Sequence, residues 1–236
     1  MAAAGSPSDT AAWRFWREQV TAAALLIQPF AALTALLLFI APPDAAAFDA
    51  ADPLVRTIGL TVGLFAIPLA AVVALAIWGV VARPSAPALM RSIRLAAAGV
   101  GIAVGVALLL RAIVGSDLPS FIPPEESAAP GLSAGLAAGL IEEVLIRLAV
   151  LPVALALARQ VAAPLAARVI AVVVAATAFT ALHHLGPGAA PFVPSYDATR
   201  FLFPGVVMSA AALWPGPALV CCAHCAAHLL IPLLFP

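Results

Sequence analysis

The chain is 236 residues long, 64% hydrophobic and only 9% charged, where an ordinary soluble domain carries roughly a quarter charged residues. That composition excludes a water-soluble globule and specifies a membrane protein. Eleven basic and eleven acidic residues leave no net charge, every basic residue is Arg, and nothing in the balance proposes nucleic acid as a partner.

Several runs reach the ~20 apolar residues that cross ~30 Å of hydrocarbon as a helix, and the alternation expected of a barrel strand is missing. The expected fold is all-α: a polytopic transmembrane helical bundle of about seven spans. Gly, Pro and charge punctuation places them at 20–41, 55–82, 92–114, 132–157, 164–185, 199–214 and 216–235.

Residues 1–19 precede the first span and contain AAWRFWREQ, in which Trp13, Phe15 and Trp16 alternate with Arg14 and Arg17. That mixture is the chemistry of an N-terminal interfacial anchor. The apolar stretch that follows, about Val20 to Ala41, is longer than the roughly 7–15 residues of a signal-peptide core, so it reads as an uncleaved first span. Residues 20–130 supply three N-terminal transmembrane helices with no mid-span acid or His.

Arginine asymmetry orients the chain. With the N-terminus cytoplasmic, Arg14, Arg17, Arg83, Arg91, Arg94, Arg159 and Arg168 lie inside, against Arg56, Arg111 and Arg200 outside. Asp44, Asp49, Asp52, Asp117, Glu125, Glu126 and Asp197 fall outside, with the C-terminus. The weak point is 199–214, which is short for a span and broken by Pro204, leaving a re-entrant segment open. The Ala-, Pro- and Arg-rich composition suggests a bacterial plasma membrane.

The fourth span, GLIEEVLIRLAV at 139–150, buries two carboxylates and a guanidinium in apolar sequence. A charge near the bilayer centre costs at least ~2.5–3.5 kcal/mol on insertion scales, so each requires a partner or a purpose. Glu143 and Arg147, four apart, share a helix face and can pair as structural support. Glu142 points ~100° away and needs partners from other helices.

The only four histidines are His183 and His184, at the end of the fifth span before Gly186 and Pro187, and His224 and His228, four apart within the seventh. Three helices thus bring titratable groups into an apolar medium, which predicts one buried polar site among the last four spans. Cys221, His224, Cys225 and His228 also form one helical stripe, with Cys222 beside it. That stripe reads either as small-residue packing or as metal ligation.

Three ordered motifs resemble those of the CAAX protease and bacteriocin-processing (Abi) family of intramembrane proteases, which includes the CAAX prenyl endopeptidases. They are Glu142-Glu143-Val144-Leu145-Ile146-Arg147, Phe179 to His183, and the segment beginning at His224. The resemblance covers about 130–236, making 131–236 the catalytic core; the one departure is His228, where the family usually has Asn. It implies an intramembrane endopeptidase of glutamic type, without a cofactor, acting on a membrane-associated protein or peptide. Glu142 and His183 would activate water, and His224 and His228 would bind the oxyanion.

Two other readings stay open. Glu142, His183, His224 and His228 make a plausible three-His, one-carboxylate metal set for a metal-dependent membrane protease, although the H-E-x-x-H zinc-protease helix is missing. The same groups would also serve a non-enzymatic transporter or interaction protein as a proton relay.

Overall fold

The computed structural model describes residues 7–40, 81–115, 132–184 and 192–235. The expected 55–82 span, but for its last two residues, lies outside them, as do Arg56, Asp44, Asp49, Asp52, Asp117, Glu125, Glu126, Gly186 and Pro187.

Every regular element among the described residues is helical. α1 (Pro7–Leu26) and α2 (Gln28–Ile40) are followed by α3 (Ala86–Val114) and α4 (Leu132–Glu142). A π-helical segment, Glu143–Val150, joins α4 to α5 (Leu151–Ala158), and α6 is Pro164–Leu182. The short α7 (Pro194–Asp197), a second π segment (Ala198–Leu202) and α8 (Phe203–Leu213) run end to end, and α9 is Pro217–Leu234.

Four helices among the described residues are long and apolar enough to cross a membrane: Ala11–Leu37, Ala86–Ile113, Pro164–Leu182 and Pro217–Leu234. They overlap the expected first, third, fifth and seventh spans. The run 132–158 is continuously helical but carries the three charges of the fourth span. The sixth also differs from expectation, because its helical run begins at Pro194, upstream of 199.

Both π segments have the same physical cause. Glu143–Val150 ends two residues before Pro152, and Ala198–Leu202 ends two residues before Pro204. A proline has no N–H to donate and its ring crowds the carbonyl four residues back. Widening the preceding turns relieves that crowding without ending the helix.

Small residues let the helices close up. Ala167, Ala171 and Ala175 recur at four-residue spacing on α6 and are fully buried, the spacing that lets membrane helices approach. Gly99 on α3 touches α9 so closely that a Cβ there would collide with the Leu219 carbonyl; α9 packs along α3 more extensively than any other pair. Outward-facing Ile102, Val106, Leu109 and Ile113 of α3 and Val169 and Val173 of α6 stay exposed. A lipid-facing surface needs that apolar cover.

Of the expected interfacial anchor, residues 7–19 are described and form the first part of α1, continuous with the span. Trp16 turns into the bundle, 8% exposed, and its Nε1–H donates to the Ala212 carbonyl at 3.1 Å. The indole finds its hydrogen-bond acceptor on α8, which is why it need not remain at the water boundary. Arg17 donates to the Val81 carbonyl at 3.1 Å, and the Glu18 carboxylate accepts from the backbone and hydroxyl of Ser85. Near these tethers Arg91, Arg159 and Arg168 surround a cavity of about 270 Å³ with Trp13, Trp16 and Trp214. Three arginines assigned to one side by the sequence therefore meet at one end of the bundle.

Candidate active site

Arg168 lies near the start of α6, whereas His183 caps its other end, ~22 Å away at 1.5 Å per residue. The polar site is therefore displaced from the arginine-rich end. Glu142 ends α4, Glu143 opens the π segment, and α9 supplies His224 and His228.

The four nominated groups come together. Glu142 Oε1 is 3.5 Å from His183 Nε2, and its Oε2 is 3.7 Å from His224 Nε2. His228 Nε2 lies 3.1 Å from His224 Nε2. Glu142 keeps 12% of its side chain exposed and His183 24%, enough for water to enter between them.

Hydrogen-bond partners decide which ring nitrogens face the site. His183 Nδ1 is 2.9 Å from the Phe179 carbonyl; a carbonyl only accepts, so Nδ1 bears the hydrogen and Nε2 is turned toward Glu142. In the neutral ring that leaves an imidazole lone pair opposite a carboxylate, two acceptors that a water molecule or shared proton must join. His224 Nδ1 is held in the same way by Glu143 Oε1 at 2.8 Å, leaving Nε2 for His228 and Glu142.

Glu143 thus does more than the sequence assigned to it. Its ion pair with Arg147 is present at 3.2 Å, with both side chains fully buried. Because the same oxygen also contacts His224, the pair anchors that ring as well as the helix. Arg147 reaches the Met208 sulfur at 3.5 Å and lies over the Phe179 ring with its guanidinium carbon 4.5 Å from the centroid. Phe179 in turn meets His183 and His224 edge-on, so one aromatic side chain packs against the buried cation and both rings.

Two features had no clear sequence signal. Phe201, from the second π segment, stacks on His183 at 3.9 Å between centroids and 22° between planes. Asp197, read from sequence only as an outer acidic residue, is 2% exposed, lies 3.2 Å from His184 and accepts from the Val193 N–H at 2.5 Å. Both are contacts between separate helical segments, which spacing does not encode. His184 therefore faces away from the Glu142 group toward a partner of its own.

The metal set is narrower than the sequence suggested. Ligand atoms of Glu142, His224 and His228 lie within 4.8 Å of one another, and His183 is not part of that group. Cys221, Cys222 and Cys225 are free thiols buried in the core, on the side of α9 that packs. Their burial favours the packing reading of the stripe.

Comparison with known proteins identifies no relative: no protein-family model, no curated protein and no solved structure matches the chain.

Proposed function

We propose that the protein is an intramembrane endopeptidase of glutamic type, like the CAAX protease and bacteriocin-processing proteins its motifs resemble. The observation that carries this reading is Glu142, which lacks a partner on its own helix and lies between His183 and His224 at 3.5 and 3.7 Å. Those separations are longer than a closed, hydrogen-bonded ion pair, which leaves the carboxylate able to accept from a water molecule that the imidazole also meets.

In the first step Glu142 takes a proton from that water, with His183 Nε2 aligning it, and the hydroxide adds to the scissile carbonyl. The oxyanion that forms is bound by His224 and His228, and the Glu143 carboxylate holds the His224 ring in place. Glu142 then gives the proton to the leaving amine, the C–N bond breaks, and a carboxylic acid and an amine result. Atoms and protons balance with no cofactor.

The substrate is a membrane-associated protein or peptide. In the full topology seven spans place the arginine-rich end and the N-terminus in the cytoplasm and the C-terminus outside, in a bacterial plasma membrane. His183 then lies toward the outer face, which suits trimming of exported peptides or of C-terminal sorting helices.

Proteoliposomes holding the full chain, incubated with a panel of membrane-anchored peptides and read by mass spectrometry, test the reading. Wild type is expected to cleave a subset, and Glu142→Gln to lower the rate by roughly 10²–10⁴-fold, the range for a general base. Full cleavage by Glu142→Gln would overturn the proposal.

A further inference from the structure

We infer that Glu142, His224 and His228 form a binding site for one divalent transition-metal ion of the zinc type, held where the oxyanion would otherwise be bound. The inference about binding stands apart from the proteolytic reading; only its consequence, that a bound ion halts hydrolysis, rests on it.

The donor set comes first. Two imidazole nitrogens and a carboxylate, with room for a fourth ligand, match the preferences of Zn²⁺. Their reacting atoms all lie within 4.8 Å of one another. Around a tetrahedral zinc with bonds of ~2.0–2.1 Å, neighbouring ligand atoms are about 3.3 Å apart. The His224 Nε2 to His228 Nε2 separation is 3.1 Å and the His224 Nε2 to Glu142 Oε2 separation is 3.7 Å. Those two separations are within a few tenths of an ångström of that spacing, and closing the site on an ion leaves the Glu142 carboxylate to move toward His228, from which it lies within 4.8 Å.

Orientation supplies the second, independent argument. A metal-bound imidazole usually donates its other N–H to a carboxylate or carbonyl, which sets the tautomer and the ring plane. His224 does this already: Nδ1 is 2.8 Å from Glu143 Oε1, and Arg147 pairs with that same oxygen at 3.2 Å. The sequence is specific at this point, since an Asn at 228 would present an amide in place of a ring nitrogen. His183 stays outside the group, its Nδ1 held by the Phe179 carbonyl. With an ion in place both Nε2 atoms that would bind the oxyanion become ligands, and the metal-bound Glu142 carboxylate is a weaker base toward water.

The experiment titrates the purified full-length chain in detergent with ZnCl₂ alone, by calorimetry, with bound metal counted by mass spectrometry after dialysis. One Zn²⁺ per chain is expected. Glu143→Gln is expected to weaken binding about 10- to 100-fold, as loss of an orienting partner does, and His228→Asn to weaken it further. Cys225→Ser should bind as wild type does. Should the histidine variants fail to fold, Co²⁺ absorption of the wild-type protein decides: a nitrogen and oxygen site gives visible ligand-field bands without thiolate charge transfer. No binding by wild type, binding that survives His228→Asn, or a thiolate band would each overturn the site. Zinc binding without any peptide cleavage would uphold it while sinking the protease reading, and cleavage stimulated by zinc would overturn the blocking role.

Discussion

At the scale of single residues, the adjacent carboxylates of Glu142 and Glu143 have different neighbours and therefore different work. Glu143 is fully buried against Arg147 and His224, whereas Glu142 keeps an opening to solvent. Removing one member of a buried ion pair leaves the other charge uncompensated, at about 3–5 kcal/mol. Arg147→Met is therefore expected to destabilise the protein by about that amount in a denaturant titration. The double variant Glu143→Gln/Arg147→Met should recover part of the loss, because no lone charge then remains. A double variant no more stable than Arg147→Met would show that the pair is not coupled. Phe201 makes a different contribution, since it stacks on His183 without touching Glu142's other partner. Phe201→Ala should leave the fold intact and slow cleavage less than His183→Ala does, which parallel rate measurements on the two variants would check.

At the scale of elements, the site depends on how closely helices approach. A Cβ on Gly139 would lie 2.6 Å from the His228 ring, so the α4 backbone meets that ring of α9 with no space to spare. Gly139→Ala is expected to displace that ring, lowering both cleavage and zinc affinity while α4 remains helical by circular dichroism. Gly99→Val acts farther off, where α3 touches α9 backbone. It is expected to lower the thermal midpoint in detergent by forcing the two helices apart, and an unchanged midpoint would mean that they close by another route. The π segment matters at this scale too. It begins at Glu143, so the two carboxylates stand on either side of the junction between α4 and the π segment.

At the scale of the whole molecule, the placement in a bilayer rests on four helices long and apolar enough to cross it and on apolar side chains left on their outer faces. Arg91, Arg159 and Arg168 meet around one cavity, and His183 stands at the far end of α6. Under the orientation proposed, a reporter fused within 115–131 reads outside the cytoplasm. A cytoplasmic signal there would overturn the orientation and, with it, the idea of substrates reached from the outer face.

Composition determined that this is a membrane protein, because 9% charge cannot cover a globule of this length in water, and the length of the apolar runs without strand alternation gave the helical class that the described residues show. Spacing alone paired Glu143 with Arg147, because residues four apart share a helix face. The motif order nominated Glu142, His183, His224 and His228, but order along a chain carries no distances. Tertiary structure decided that Nε2 of His224 faces both Glu142 and His228, and that Glu143 serves that ring as well as Arg147. It also brought Phe201 onto His183, buried Asp197 beside His184, and sent Trp16 into the core to meet the Ala212 carbonyl. Each of these is a contact between helices distant in sequence, fixed by packing and by the need of buried polar atoms for partners, and neither periodicity nor composition records which helix stands opposite which.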